Sequence, residues 1–228
     1  MDETQAMKRS QIIALAALAV AENMGLKVGY ASEIKSQADY ETRLKTLIRS
    51  LWFNRIDLFG YVDSHISMIN RFFGQAWREG SKDCGVTFPR DSSPEELQRF
   101  DQETSDEIER VLPFAEEILA ANAEEDSRVD RFIIRASMWA NQWGRIKNLA
   151  AQMACQDRPM KWVWNPVREH CADCARMNGR VYRNSTWQRY GILPRIRELA
   201  CHGYNCGCSL VPTDEPITPG RPPALIGG

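Results

Sequence analysis

The sequence predicts a mainly α-helical chain. A long helical stem leads to a small α+β module closed by a zinc ion, and an extended Pro-rich tail follows. Three observations carry this expectation. Apolar residues recur at steps of three and four through much of the first 150 positions, the mark of helices with one buried stripe. Five of the seven cysteines fall between Cys171 and Cys208, where no long periodic segment is found. Positions 212–228 hold five prolines and three glycines, a composition that favours extended chain over packed structure.

Composition narrows the classes. A chain of 228 residues with 43% hydrophobic content can bury one sizeable core or two small ones. Lys and Arg number 29 against 30 Asp and Glu, which argues against a uniformly basic nucleic-acid binder. Seven tryptophans argue against a disordered chain. No apolar run reaches the roughly 18 residues of a membrane span. The neutral total hides a division. Residues 1–90 carry 12 basic and 10 acidic side chains, residues 91–126 carry 2 and 13, and residues 127–228 carry 15 and 7, for nets of +2, −11 and +8.

Along the chain, Lys8-Arg9 before the apolar run Ile12 to Ala21 resembles a signal peptide, and Ala19-Val20-Ala21 offers a cleavage-like site. Asp2 and Glu3 spoil the positive start, so the favoured reading is a buried first helix with Ser10 as its N-cap. From Tyr40 to Trp77 the stripe Tyr40, Leu44, Leu47, Leu51, Leu58, Val62, Ile66, Ile69, Phe73, Trp77 predicts one long helix, interrupted at Arg55 and kinked at Gly60. His65 lies beside the stripe, as a surface or core-edge residue. Residues 80–92 read as a loop. Ser93-Pro94-Glu95-Glu96 gives an N-cap, a proline at the first helical position and a glutamate at the third, a strong helix start. The acidic segment beyond it predicts one or two surface helices bent near Pro113, whose carboxylates form a solvated face or a docking surface. Ser127 can cap a further helix running to about Met153. The expected divisions are therefore 1–126 (helical stem with acidic helices), 127–211 (a helix plus the cysteine-rich module) and 212–228 (tail).

Cys171 and Cys174 form a C-x2-C knuckle, a spacing that lets two thiolates share one tetrahedral ion at about 2.3 Å. The ligands that complete the site come from Cys201, His202, Cys206 and Cys208. In an extended strand Cys206 and Cys208 point to opposite faces, so a metal takes one of them unless Gly207 lets the backbone bend. The preferred set is Cys171, Cys174, Cys201 and Cys206, with His202 and Cys208 as alternates. This surplus of ligands leaves no open coordination position, and no motif supplies a general acid or base. A structural Zn2+ is expected rather than a catalytic one, and no catalytic residue is named. Disulfides or free thiols are the competing reading. A redox Cys-x-x-Cys would sit near a βαβ pattern, and a nucleobase deaminase needs His-x-Glu before Pro-Cys-x-x-Cys; neither is present. The short pieces around Trp162–Trp164, Val181–Tyr182 and Ser209–Val211 predict a small β-rich unit. Such a unit buries too little apolar area to fold well alone, a deficit that a metal offsets.

The order of these motifs is similar to a known family. A helix with Ile134-Arg135-Ala136-Ser137, Ala140-Asn141 and Gly144 precedes a Trp-containing strand. Cys-x-x-Cys, Asn178-Gly179, a Pro-containing spacer and a terminal Cys-x-Cys follow. Over residues 128–212 this resembles the C-terminal domain of tailed-bacteriophage minor head proteins, the Mu F-like head-morphogenesis family. Met138 stands where the family has a glutamate, Leu193-Pro194 where two prolines are usual, and Cys201 is extra. The resemblance implies a virion protein near the portal, assembled in the host cytoplasm, acting in head morphogenesis or genome delivery through contacts with portal and capsid proteins. It implies a component present in few copies; multiple copies in a symmetric assembly are expected, and no enzymatic activity is expected because neither a general base nor an open metal site can be named. The alternative is a zinc-containing nucleic-acid-binding protein whose basic C-terminal half contacts packaged DNA, with binding that falls steeply with salt.

Overall fold

Ser36 opens the first helix of the described structure by accepting a hydrogen bond from the Asp39 N–H, the expected job of a serine at an N-cap. The computed structural model describes residues 34–124, 128–155, 157–165, 170–203 and 206–226. The expected first helix with its Ser10 cap, and the Ser127 cap, lie outside these residues.

The expected single helix from Tyr40 to Trp77 is two: α1 (Gln37–Trp52) and α2 (Leu58–Lys82). The division falls at the residues between them and not at Gly60. Asn54 takes a left-handed backbone conformation there (φ 52°), and Asp57 then caps α2 by accepting from the Gly60 N–H at 2.7 Å. The chain folds back, so Tyr40 near the start of α1 stacks on Phe72 in α2, with ring centroids 3.9 Å apart. His65 is fully buried rather than at the core edge, and its Nε2 meets the Tyr40 hydroxyl at 3.2 Å.

Helix α3 (Pro94–Ile108) starts as expected, with Ser93 accepting from the Glu96 N–H and Pro94 in the first turn. Helix α4 (Val111–Asn122) follows a break at Glu109–Arg110, and Pro113 sits in its first turn, where a proline costs little. The acidic segment is not wholly a solvated face. Glu96, Glu103 and Glu107 are buried, and each has a partner. Glu96 accepts from Trp77 Nε1 at 2.7 Å and from the Ser81 hydroxyl at 3.0 Å. Glu103 lies between Arg99 and Arg145, and Glu107 pairs with Arg110.

The helix expected to run to Met153 is also two: α5 (Asp130–Ala140) and α6 (Gln142–Ala154), meeting at Asn141. Both pack into the same core as α1–α4: Phe132, Ala136, Trp143 and Ile146 join Leu44, Ile69 and Trp77 in one cluster. The boundary expected at 127 therefore falls inside the body formed by α1–α6, and the second core begins near Ala151. Helices α2 and α6 form the closest helix pair. Gly80 makes this approach possible, since a Cβ there would collide with the Lys147 carbonyl and stand 2.7 Å from Ala150 Cβ.

The module beyond holds a three-stranded antiparallel sheet in the order β2-β1-β3, from β1 (Pro159–Val163), β2 (Val181–Arg183) and β3 (Ser209–Pro212). Two short helices, α7 (Ala172–Met177) and α8 (Asn184–Arg189), complete it. Its core is Trp162, Trp187, Met160, Met177, Tyr182 and Leu210, together with Cys174, Cys206 and Cys208. Residues 213–226 run without helix or strand, but they are packed rather than loose. The Thr218 N–H donates to the Val181 carbonyl, the Tyr182 hydroxyl to the Arg221 carbonyl, and Pro222 is buried. No helix among the described residues is long and apolar enough to cross a membrane.

Candidate metal centre

The first two cysteines are placed by α7. Cys171 is its N-cap in extended conformation, and Cys174 lies in the first turn, with its N–H directed at Cys171 Sγ at 3.5 Å. That arrangement turns both sulfurs to one side. Asn178 and Gly179 end the helix, Gly179 with a left-handed φ of 78°, and Asn178 Oδ1 accepts from the Trp164 N–H. The end of β1 is thereby tied to the end of the knuckle helix.

The remaining cysteines arrive from the segment before β3. Cys201 lies in a tight turn whose next two residues, His202 (φ 50°) and Gly203 (φ 72°), are left-handed. A side chain at Gly203 would run into the Arg195 backbone carbonyl, so the turn closes down on an earlier part of its own loop. Cys206 and Cys208 both point inward and are buried, unlike the opposite faces expected of a strand. The two-residue alternation does not govern them because β3 begins only at Ser209.

All five cysteines of the module meet. Cys171, Cys174 and Cys201 form one group and Cys174, Cys206 and Cys208 another, with the sulfurs of each group within 4.8 Å of one another. Cys174 belongs to both, and its sulfur lies 4.0 Å from that of Cys206. Four thiolates bound at about 2.3 Å to a tetrahedral ion stand about 3.8 Å apart; each group of three here lies within 4.8 Å, and Cys174 is the sulfur the two groups share. The thiols are also electrostatically linked. Hydrogen bonds from Cys174 and Cys208 hold the Cys206 thiol far below its usual range, whereas hydrogen bonding to Cys206 pushes Cys174 far above it. One sulfur of the cluster is thus poised to carry the negative charge a metal requires.

The histidines take no part. His202 is exposed, with Nδ1 at 3.2 Å from the Arg197 carbonyl, and belongs to neither thiol group. The His170 ring stacks on Trp164, with centroids 4.5 Å apart. Of the six residues expected as ligands or alternates, the structure brings together Cys171, Cys174, Cys201, Cys206 and Cys208 and leaves His202 outside.

Three further features had no sequence signal. Cys84, just after α2, and Cys155, at the end of α6, are joined as a disulfide with Cα atoms 5.0 Å apart. Each is isolated in sequence, so only the packing of α2 on α6 pairs them. Asp173, between the knuckle cysteines, is fully buried and accepts from the Ala200 N–H at 2.9 Å and the Ile226 N–H at 2.8 Å. Asn148 in α6 donates to the Cys208 carbonyl, fixing the cysteine loop to the helical body. No family model matches the chain, and neither a curated protein nor a solved structure matches it.

Proposed function

We propose that the cysteine cluster holds one structural Zn2+ ion and that the chain is a non-catalytic assembly protein built around this staple. The observation that carries the metal reading is the convergence of five thiols, from two segments about thirty residues apart, into two groups that share the buried Cys174. A set of thiolates alone, with no carboxylate or histidine among them, suits zinc in a closed tetrahedral site. Cys171, Cys174, Cys201 and Cys206 are the proposed ligands, and Cys208 is the alternate that remains beside them. The ion would join the knuckle helix to the loop before β3 and so stabilise a unit whose own core is small.

The proposed setting is the head of a tailed phage, as a minor protein in contact with the portal or capsid. It rests on the order of the helix, knuckle, Asn-Gly turn and Cys-x-Cys. The distribution of ion pairs supports protein contact over DNA contact. Arg135 pairs with Glu117, and Arg145 with Glu103, so two basic side chains of the later segment are engaged by the acidic one within the chain. Co-expression with a tailed-phage portal protein tests the reading. Co-purification in a ring-sized complex is the expected outcome. A monomer that binds no virion protein, or DNA binding with a steep salt dependence, would count against it.

A further inference from the structure

Asp173 makes the C-terminal segment part of the cysteine site. It sits inside the knuckle, and its carboxylate reaches two backbone N–H groups from distant places: Ala200, beside Cys201, and Ile226, near the chain end. A fully buried carboxylate is costly unless such partners are kept. The next turn of the knuckle helix adds a second tie, because Arg176 donates to the Ala224 carbonyl at 3.0 Å. Leu225 packs against the cluster that contains the thiols. Further back, the Thr218 hydroxyl accepts from the Val181 N–H, and the Thr218 N–H donates to the Val181 carbonyl, so residue 218 occupies the outer edge of β2. Residues 218–226 are therefore a strap fastened to the sheet edge at one end and to the knuckle at the other.

We propose that this strap and the metal regulate each other: the strap docks tightly only on a metal-held knuckle, and the docked strap raises the affinity of the cysteines for zinc. The inference rests on the metal reading above. Asp173 can meet both N–H groups only while α7 and the Cys201 turn keep one relative position. A metal that binds Cys171, Cys174 and Cys201 fixes that position. Without it the carboxylate satisfies one segment at the expense of the other, and in this scheme the strap is the segment released. Coupling between two binding events is reciprocal, so whatever the metal adds to strap docking the strap adds to metal binding. Asp173 is a positioning residue in this scheme, acting from behind the ligands as outer partners of metal sites do.

The test uses the full-length chain and zinc. Amide exchange at Thr218 and Ile226 is compared between zinc-loaded and chelator-stripped protein, and zinc affinity is measured by competition with a chromogenic chelator. The variants are a chain ending at Pro216, Asp173→Asn and Arg176→Ala, the last leaving the cysteines and Asp173 untouched. Exchange at Ile226 is expected to be at least about tenfold faster in the stripped protein, and zinc affinity about tenfold weaker in the truncated chain, with stoichiometry unchanged. Arg176→Ala is expected to shift both readings in the same direction by a smaller factor. Equal exchange with and without zinc, or equal affinity with and without the strap, overturns the coupling while leaving the zinc site intact. Failure of the full-length chain to take up zinc at all overturns the metal reading, and the coupling with it.

Discussion

Burial sets the chemistry of His65. Tyr40, Tyr61 and Trp139 surround its ring, and its Nδ1 has no hydrogen-bond partner among the described residues. Loss of solvation pushes its pKa from 6.5 down to about 3. The folded-state value lies below the unfolded one, so its contribution to stability is complete above the unfolded value and is lost as pH falls from there toward the folded value, by about 1.4 kcal/mol per pH unit. Urea unfolding from about pH 7.5 to about pH 5.5 should show the wild type losing more stability than His65→Gln; parallel curves would contradict the assignment. The histidine was legible in the sequence only as a neighbour of an apolar stripe, because its burial depends on Tyr40 and Trp139 arriving from other helices. The cysteines were more legible. Their spacing alone announced a shared site, although the way the chain turns ahead of β3 decided that Cys208 faces inward and His202 outward. Cys174 is common to both thiol groups, so Cys174→Ser should abolish the thiolate-to-metal charge-transfer band of the cobalt-substituted protein. His202→Ala should leave that band unchanged. With the proposed ligands, Cys201→Ser should weaken it and Cys208→Ser should not.

At the scale of elements, capping signals read more reliably than continuity. Ser93-Pro94 marked the start of α3 correctly, since an N-cap serine and a following proline act locally. The stripe from Tyr40 to Trp77 overran a helix break because its spacing of three and four carries on across the turn at 53–57. Asp57 starts α2 as its N-cap, and Gly60 lies within that helix without kinking the stripe. Contacts between elements were beyond the sequence, and Gly80 shows why. By sequence it opens the expected loop at 80–92, whereas in the fold it lies in α2, where that helix meets the α6 backbone. Gly80→Ala should therefore destabilise the protein by about 1–3 kcal/mol in urea unfolding, although alanine is the better helix former. The Trp77–Glu96 contact belongs to the same level, since it clips α3 to α2. Glu96→Ala leaves the Trp77 N–H and the Ser81 hydroxyl without their acceptor, and should cost about 1–3 kcal/mol. A change within about 0.5 kcal/mol would show that water replaces the carboxylate.

Across the whole molecule, two cores lie side by side, and the links between the helical body and the module include the Asn148 bond to Cys208, the Arg195 bond to the Asn141 carbonyl, the Asn184 bond to the Gln152 carbonyl, and the packing of α6 against β3. The mainly helical class and the small sheet were both legible from periodicity and its absence. The division at 127 was not, because the charge boundary and the core boundary differ. Arg135 and Arg145 belong to the basic segment by sequence yet to the helical body by packing. The tail was legible as extended chain but not as a strap, since proline content limits conformation without revealing where a side chain such as Asp173 waits for an N–H. If one metal ion organises the smaller core as proposed, elemental analysis of the reduced, full-length protein will find about one zinc per chain, retained through gel filtration and lost in Cys174→Ser. Wild-type protein without zinc, its five module cysteines all free or joined as disulfides in mass spectra, would contradict it.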